Sequence, residues 1–170
     1  TVVMKAVKNK VQLENLRKAH LKDAVAMCRF MYWLKTNIGK IPMTEISASD
    51  YLASLRAEQE GFLDLSFATI CGYADHGAIV HYSATEESDR PLKPESFLLV
   101  DSGGHYLEGT TDITRTFALG PAAGIVMQIV KILIKLILKP TSTGFVGEFA
   151  NVVMSCALIL PAGFIYRFKK

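Results

Sequence analysis

Apolar positions between residues 11 and 38 recur at intervals of three and four. Leu13, Leu16, Val25, Cys28 and Met31 form a stripe, while Val11, Asn15, Lys18 and Lys22 lie on another side. This is the periodicity of an amphipathic helix, ended by Gly39 and Pro42. Ser47, with Asp50 three residues later, has the spacing of a capping pair and predicts a second helix to about residue 59, closed by Gly61. The texture then changes to short apolar runs at residues 67–73, 78–82 and 97–101, bounded by Gly, Asp and Pro, which predict strands. Ser102, Gly103 and Gly104 predict a turn, and residues 110–117 alternate as a strand does. Two helices followed by hairpin-linked strands give an α+β layer.

Beyond residue 120 the pattern changes again. Residues 122–138 are apolar except Gln128, Lys131 and Lys135, which fall on one helical stripe as in an amphipathic surface helix. Residues 149–166 are 18 positions without a charge, followed by Arg167, Lys169 and Lys170. At helical rise they reach about 27 Å, near the ~30 Å of a bilayer core. A buried core helix is the alternative.

Composition sharpens this split. The chain has 170 residues, half of them hydrophobic, with a net charge of +3. Disorder is excluded, and the charge is too small to argue for nucleic acid. Residues 1–119 carry a net −2 and residues 120–170 a net +5, so a boundary between two segments is expected at 119–120. Residues 1–13 alternate lysine with apolar residues and lack the apolar core of a signal peptide. Cys28, Cys71 and Cys156 form no CxxC pair and read as buried free thiols in a reducing compartment.

The candidate chemistry sits in the last strand pair. A hairpin turning around Tyr106 and Leu107 places Asp101 directly opposite Asp112, on one face. Two carboxylates that close repel unless protonated or bridged by a cation, and such oxygen donors suit divalent ions. The alternative has Asp101 capping the Ser-Gly-Gly turn and Asp112 in solvent. His81 is a lone histidine in an apolar run; His20, His76 and His105 read as solvated or locally bonded.

The stretch Asp101-Ser-Gly-Gly-His-Tyr-Leu-Glu-Gly-Thr-Thr-Asp112-Ile-Thr-Arg-Thr-Phe117 closely resembles the strand pair of the Xaa-Pro aminopeptidases (aminopeptidase P), of the pita-bread metallopeptidase family. Met4-Lys5-Ala6-Val7-Lys8-Asn9, Arg17-Lys18-Ala19-His20, Gln59-Glu60-Gly61-Phe62 and Gly77-Ala78-Ile79-Val80-His81-Tyr82 fit as well, so the resemblance covers about residues 4–119. It implies a partial pita-bread half-domain of two helices and an antiparallel sheet. It implies a divalent metal pair (manganese, cobalt or zinc), with Asp101 binding one ion and Asp112 bridging both. It also implies that His81 contacts a peptide substrate with proline second. The family's remaining ligands are one His and two Glu, C-terminal to the aspartates. After Asp112 this sequence has no His, and Glu148 is its one acidic residue. Metal binding is therefore expected to be weak or lost and hydrolysis absent, in a cytoplasmic protein. A sheet with one half absent predicts self-association.

Leu119-Gly120-Pro121-Ala-Ala-Gly-Ile-Val, Gly144-Phe-Val-Gly-Glu-Phe-Ala-Asn151 and Cys156-Ala-Leu-Ile-Leu-Pro-Ala-Gly resemble the riboflavin-binding S component of energy-coupling-factor transporters. That resemblance implies a two-helix, membrane-type hairpin over residues 120–170, with Asn151 near the vitamin. A splice at Leu119-Gly120-Pro121 would make the chain a chimera completing neither site.

Overall fold

The computed structural model describes residues 2–121, 126 and 128–130. After the short helix α1 (Val2–Ala6), α2 runs over Lys10–Asn37, close to the predicted 11–38. Asn9 caps it by accepting from Gln12 N–H at 2.9 Å, and Gln12 Oε1 accepts from Asn9 N–H at 3.0 Å.

The buried face of α2 differs from the expected stripe. Ala19, Asp23, Ala26, Met27, Phe30 and Leu34 face the core, whereas Val25 and Met31 are 50% and 44% exposed. Cys28 is exposed too, not buried as its apolar setting predicts. Apolar residues occupy both sides of α2, and the side that wins contains the charged Asp23, which periodicity assigns to solvent. Asp23 is buried because Arg56 of α3 (Glu45–Ala57) meets it with bonds of 2.5 and 3.3 Å, and the Tyr106 hydroxyl donates at 3.1 Å. Burial, the Asp23 charge and the hydrogen bond push that hydroxyl far up.

Helix α3 starts earlier than predicted. Thr44, not Ser47, is the N-cap: its hydroxyl accepts from Ser47 N–H at 3.1 Å, and Ser47 Oγ accepts from Thr44 N–H at 2.8 Å. The backbone carbonyl of Arg90 takes Glu45 N–H, and Asp89 Oδ1 takes Ile46 N–H. The orphan donors of the first turn are thus met partly from residues 89–90, which spacing within α3 cannot reveal.

Six short strands follow: β1 (Phe62–Leu65), β2 (Ile70–Tyr73), β3 (Phe97–Ser102), β4 (Gly104–Tyr106), β5 (Gly109–Thr110) and β6 (Ile113–Ala118). They form two antiparallel sheets, ordered β1-β4-β5 and β2-β3-β6. Phe30 and Leu34 of α2 and Leu52 and Leu55 of α3 pack on Leu98, Val100 and Phe117, one face of the β2-β3-β6 sheet. The Phe30 and Phe117 rings meet edge-on at 5.7 Å. The α+β layer is therefore as expected.

The predicted strand at 78–82 is absent. Ala74–Ala78 is a 3-10 helix, followed by a turn. Ala74 and His81 take φ of 54° and 55°, which an extended strand does not allow. The 3-10 helix lies so close on β2 that a Cβ at Gly72 would stand 2.9 Å from Gly77 N, a contact only glycine permits.

Candidate metal centre

Asp101 and Asp112 share a face, but not as directly opposed residues. Asp101 pairs with Thr114, and Ser102 with Ile113. Past the strand ends, Thr111 N–H donates to Gly104 O, and His105 pairs with Thr110. The register is continuous, which leaves Asp112 across from Gly103 and diagonal to Asp101. The turn lies at Leu107 and Glu108, one residue later than predicted, which shifts every pairing by two. A shift of two preserves the face.

That face is opposite the helices. Leu98, Val100 and Phe117 point into the core, so Leu99, Asp101, Thr114 and Thr116 point to the other side. Asp101 is half-buried and Asp112 exposed. The Thr114 hydroxyl donates to Asp101 Oδ1 at 2.7 Å. Loss of water on the sheet side, the negative charge of Asp101 and a hydrogen bond to its side chain push the Asp112 carboxyl up. Two hard oxygen donors on one face, the charge of Asp101 raising the proton affinity of Asp112, are what a divalent cation relieves, so the pair fits such an ion. Among the described residues, no group of three or more His, Cys, Asp or Glu side chains converges to hold a metal.

Gly103 lets the hairpin bend from one sheet to the other. A Cβ there would lie 2.0 Å from Thr111 O and 2.4 Å from Ser66 Oγ. Ser66 closes the bend, its N–H donating to Gly103 O and its hydroxyl to Thr111 O at 2.9 Å. The predicted turn at residues 102–104 is thus the junction between β3 and β4.

His81 is exposed in the turn after the 3-10 helix, not in a strand. Its loop belongs to the aspartates' side: a Cβ on Gly77 would touch Leu99 Cβ at 3.4 Å, and Leu99 shares the face of Asp101. His20 Nδ1 bonds Leu16 O at 2.9 Å and His105 Nδ1 bonds Thr110 Oγ1 at 2.8 Å, both exposed and local as expected. His76 is bonded but buried, against Glu45. Sequence reasoning missed Thr114 and Glu45. Thr114 carries a signal, since two residues after Asp112 the period of a strand returns to the same face. Glu45 carries none. Asn151 and the apolar runs at 122–138 and 149–166 lie outside the described residues, apart from 126 and 128–130. Among the described residues, no helix is long and apolar enough to cross a membrane.

The sequence profile of metallopeptidase family M24 matches residues 14–158, well over half of the chain. The chain belongs to metallopeptidase family M24. Among relatives of this M24 chain, aminopeptidase P2 of Arabidopsis thaliana is 43% identical over 113 residues, 66% of the chain and 16% of the relative. Xaa-Pro aminopeptidase ApepP of Drosophila melanogaster is 37% identical over 119 residues, 69% of the chain and 19% of the relative. The M24 chain thus spans under a fifth of their length. Among solved structures, an X-prolyl aminopeptidase from Caenorhabditis elegans, described as a cytosolic enzyme with a di-nuclear active site, superposes with a TM-score of 0.71 at 34% identity. That match covers 78% of this chain and 22% of the other. X-Pro aminopeptidase from Thermotoga maritima shares the fold, with a TM-score of 0.66 at 22% identity over 94% of this chain and 44% of the other. The M24 match runs past residue 119 to 158, and none of these relationships supports the transporter resemblance of 119–170.

Proposed function

We propose that this chain contributes the paired aspartates of a two-ion centre that releases an N-terminal residue preceding proline. The observation that carries this reading is the convergence of Asp101 and Asp112 on one sheet face, with Thr114 orienting Asp101. A divalent pair (manganese, cobalt or zinc) held there would supply Lewis-acid polarisation of a scissile carbonyl and acidification of water. Asp101 and Asp112 would hold it, and the bond from Thr114 fixes which Asp101 lone pairs remain free. His81, on the loop over the same sheet face, is positioned to meet a bound peptide. The supporting relatives are themselves Xaa-Pro aminopeptidases, and the Caenorhabditis elegans enzyme is described as cytosolic with a di-nuclear site. The cytoplasm is the matching compartment for this chain.

Residues 113–170 add no His and only Glu148 to the donor set. The 170-residue polypeptide by itself therefore binds metal weakly, with a dissociation constant on the order of 0.1–1 mM, and does not turn over peptide. The division at 119–120 belongs to this reading, since Asp101, Asp112 and His81 all lie before it. Calorimetric titration with manganese, paired with hydrolysis of a proline-second tripeptide, tests it. The expected result is weak metal binding without turnover. Turnover by the isolated chain would contradict the division of labour, and an absence of metal binding at millimolar manganese would contradict the centre.

A further inference from the structure

Glu45 is the first residue of α3, yet its fully buried side chain leaves the helix layer and reaches the outer edge of the β2-β3-β6 sheet. There Glu45 Oε1 accepts from Tyr73 N–H at 2.6 Å. Strand β2 is an edge strand, and this bond occupies a donor at its end that has no ladder partner. Both carboxylate oxygens lie 3.0 Å from His76 Nδ1. An ionised carboxylate only accepts, so Nδ1 carries the proton. Glu45 Oε2 also accepts from the Tyr82 hydroxyl at 2.9 Å, and the His76 and Tyr82 rings stack at 4.4 Å between centroids. Burial foremost, with the Glu45 bond and charge, keeps the Tyr82 hydroxyl protonated and able to donate.

His76 and Tyr82 bracket His81 on the loop that crosses to the aspartates' side. Between them, His81 takes φ 55°, a left-handed backbone state that a residue other than glycine keeps only where its surroundings over-determine it. Asp75 adds a tie through Arg90, whose backbone carbonyl holds Glu45 N–H. The loop is thus fastened before and after His81 to one carboxylate that belongs to a different layer of the fold.

We infer that Glu45 is a positioning residue, fixing the loop that presents His81 to a bound peptide. The consequence for substrate rests on the reading of His81 given above; the fastening of the loop does not. Removing one of these bonds frees the loop while the sheet, held by Leu98, Val100 and Phe117, stays closed.

The test uses the full chain and two substitutions, Glu45→Gln and Tyr82→Phe, the second removing only the Tyr82 hydroxyl, with its bonds to Glu45 and Ser88, if the first fails to fold. Amide hydrogen exchange should accelerate roughly tenfold at Ile79 and Tyr82, whose N–H groups bond within the loop, and stay unchanged in β3 and β6. In Glu45→Gln the His76 Nδ1 proton resonance should move, and in Tyr82→Phe the His81 ring resonance should show averaging, signatures that loss of global stability does not produce. Unchanged exchange at Ile79 and Tyr82 in the folded Tyr82→Phe chain, with an unmoved His81 resonance, would overturn the inference. Addition of a proline-second tripeptide to the wild-type chain is the separate arm. A His81 resonance that ignores the peptide removes the substrate role of His81 and leaves the loop result standing.

Discussion

Thr114 stands directly opposite Asp101 in the β3-β6 ladder and donates its hydroxyl hydrogen to Asp101 Oδ1 at 2.7 Å. The bond spans the hairpin whose far end carries Asp112, so the same pairing that closes the strands also aims the carboxylate. Partners that orient a ligand in this way change metal affinity by about 10–100-fold. Thr114→Val keeps the shape and the strand preference but removes the donor. It should weaken manganese binding about tenfold in a calorimetric titration and leave the urea midpoint nearly unchanged. Equal affinity in the two proteins would show that the Asp101 orientation is set elsewhere.

Gly103→Ala is expected to be among the most destabilising single-methyl additions in the chain. The new Cβ would meet Thr111 O at 2.0 Å, a backbone atom that cannot swing aside. The bend between the two sheets would have to open, at a cost of about 3 kcal/mol or more. Urea unfolding measures it. A loss under 1 kcal/mol would mean that the junction relaxes easily.

The Asp23–Arg56 pair is fully buried, and one guanidinium nitrogen, Arg56 Nη1, has no hydrogen-bond partner among the described residues. Asp23→Ala leaves a buried cation without its counter-charge and should cost about 3–5 kcal/mol. Replacing both residues together, Asp23→Leu with Arg56→Met, should recover most of that loss, because desolvation of both charges disappears along with their attraction. The comparison is made by urea unfolding of the two variants, and a double variant no more stable than Asp23→Ala would contradict it.

Asp75 supplies a pH signature. Burial alone would raise its carboxyl, but the Arg90 hydrogen bond and charge overrule it and hold it below the usual carboxylate range. A depressed folded-state value means stability that is present above the unfolded value of about 3.9 and lost as pH falls through the folded one. The stability gap between wild type and Asp75→Asn should therefore be constant near neutrality and shrink below about pH 4. The pair is about one-third exposed, so the gap is expected to be about 0.5 kcal/mol. A gap that widens on acidification would reverse the sign of the argument.

Much of the architecture was legible because it is local. Residues 11–38 carry a helical period that no strand tolerates, and the alternation in 110–117 fixes which side of β6 faces the core. The Asp101–Asp112 relationship survived an error of one residue in the turn, because the face depends on parity and not on the exact partner. What escaped the sequence is what depends on distant chain. The core face of α2 contains Asp23 only because Arg56 lies across from it. The start of α3 is fixed by Asp89 and Arg90, more than 40 residues on. The run 78–82 is apolar and β-branched, as strands are, but Glu45 and the two glycines at 72 and 77 fold it onto the sheet as a 3-10 helix and turn.

Paramagnetic broadening by manganese in the full chain tests the metal centre most directly, because it reports location and not only affinity. Sub-stoichiometric manganese should broaden the amide signals of Asp101, Asp112 and Thr114 first and leave α2 sharp, and Asp101→Asn or Asp112→Asn should abolish the effect. Broadening that begins elsewhere, or that persists in both variants, would contradict the assignment of the two aspartates as ligands.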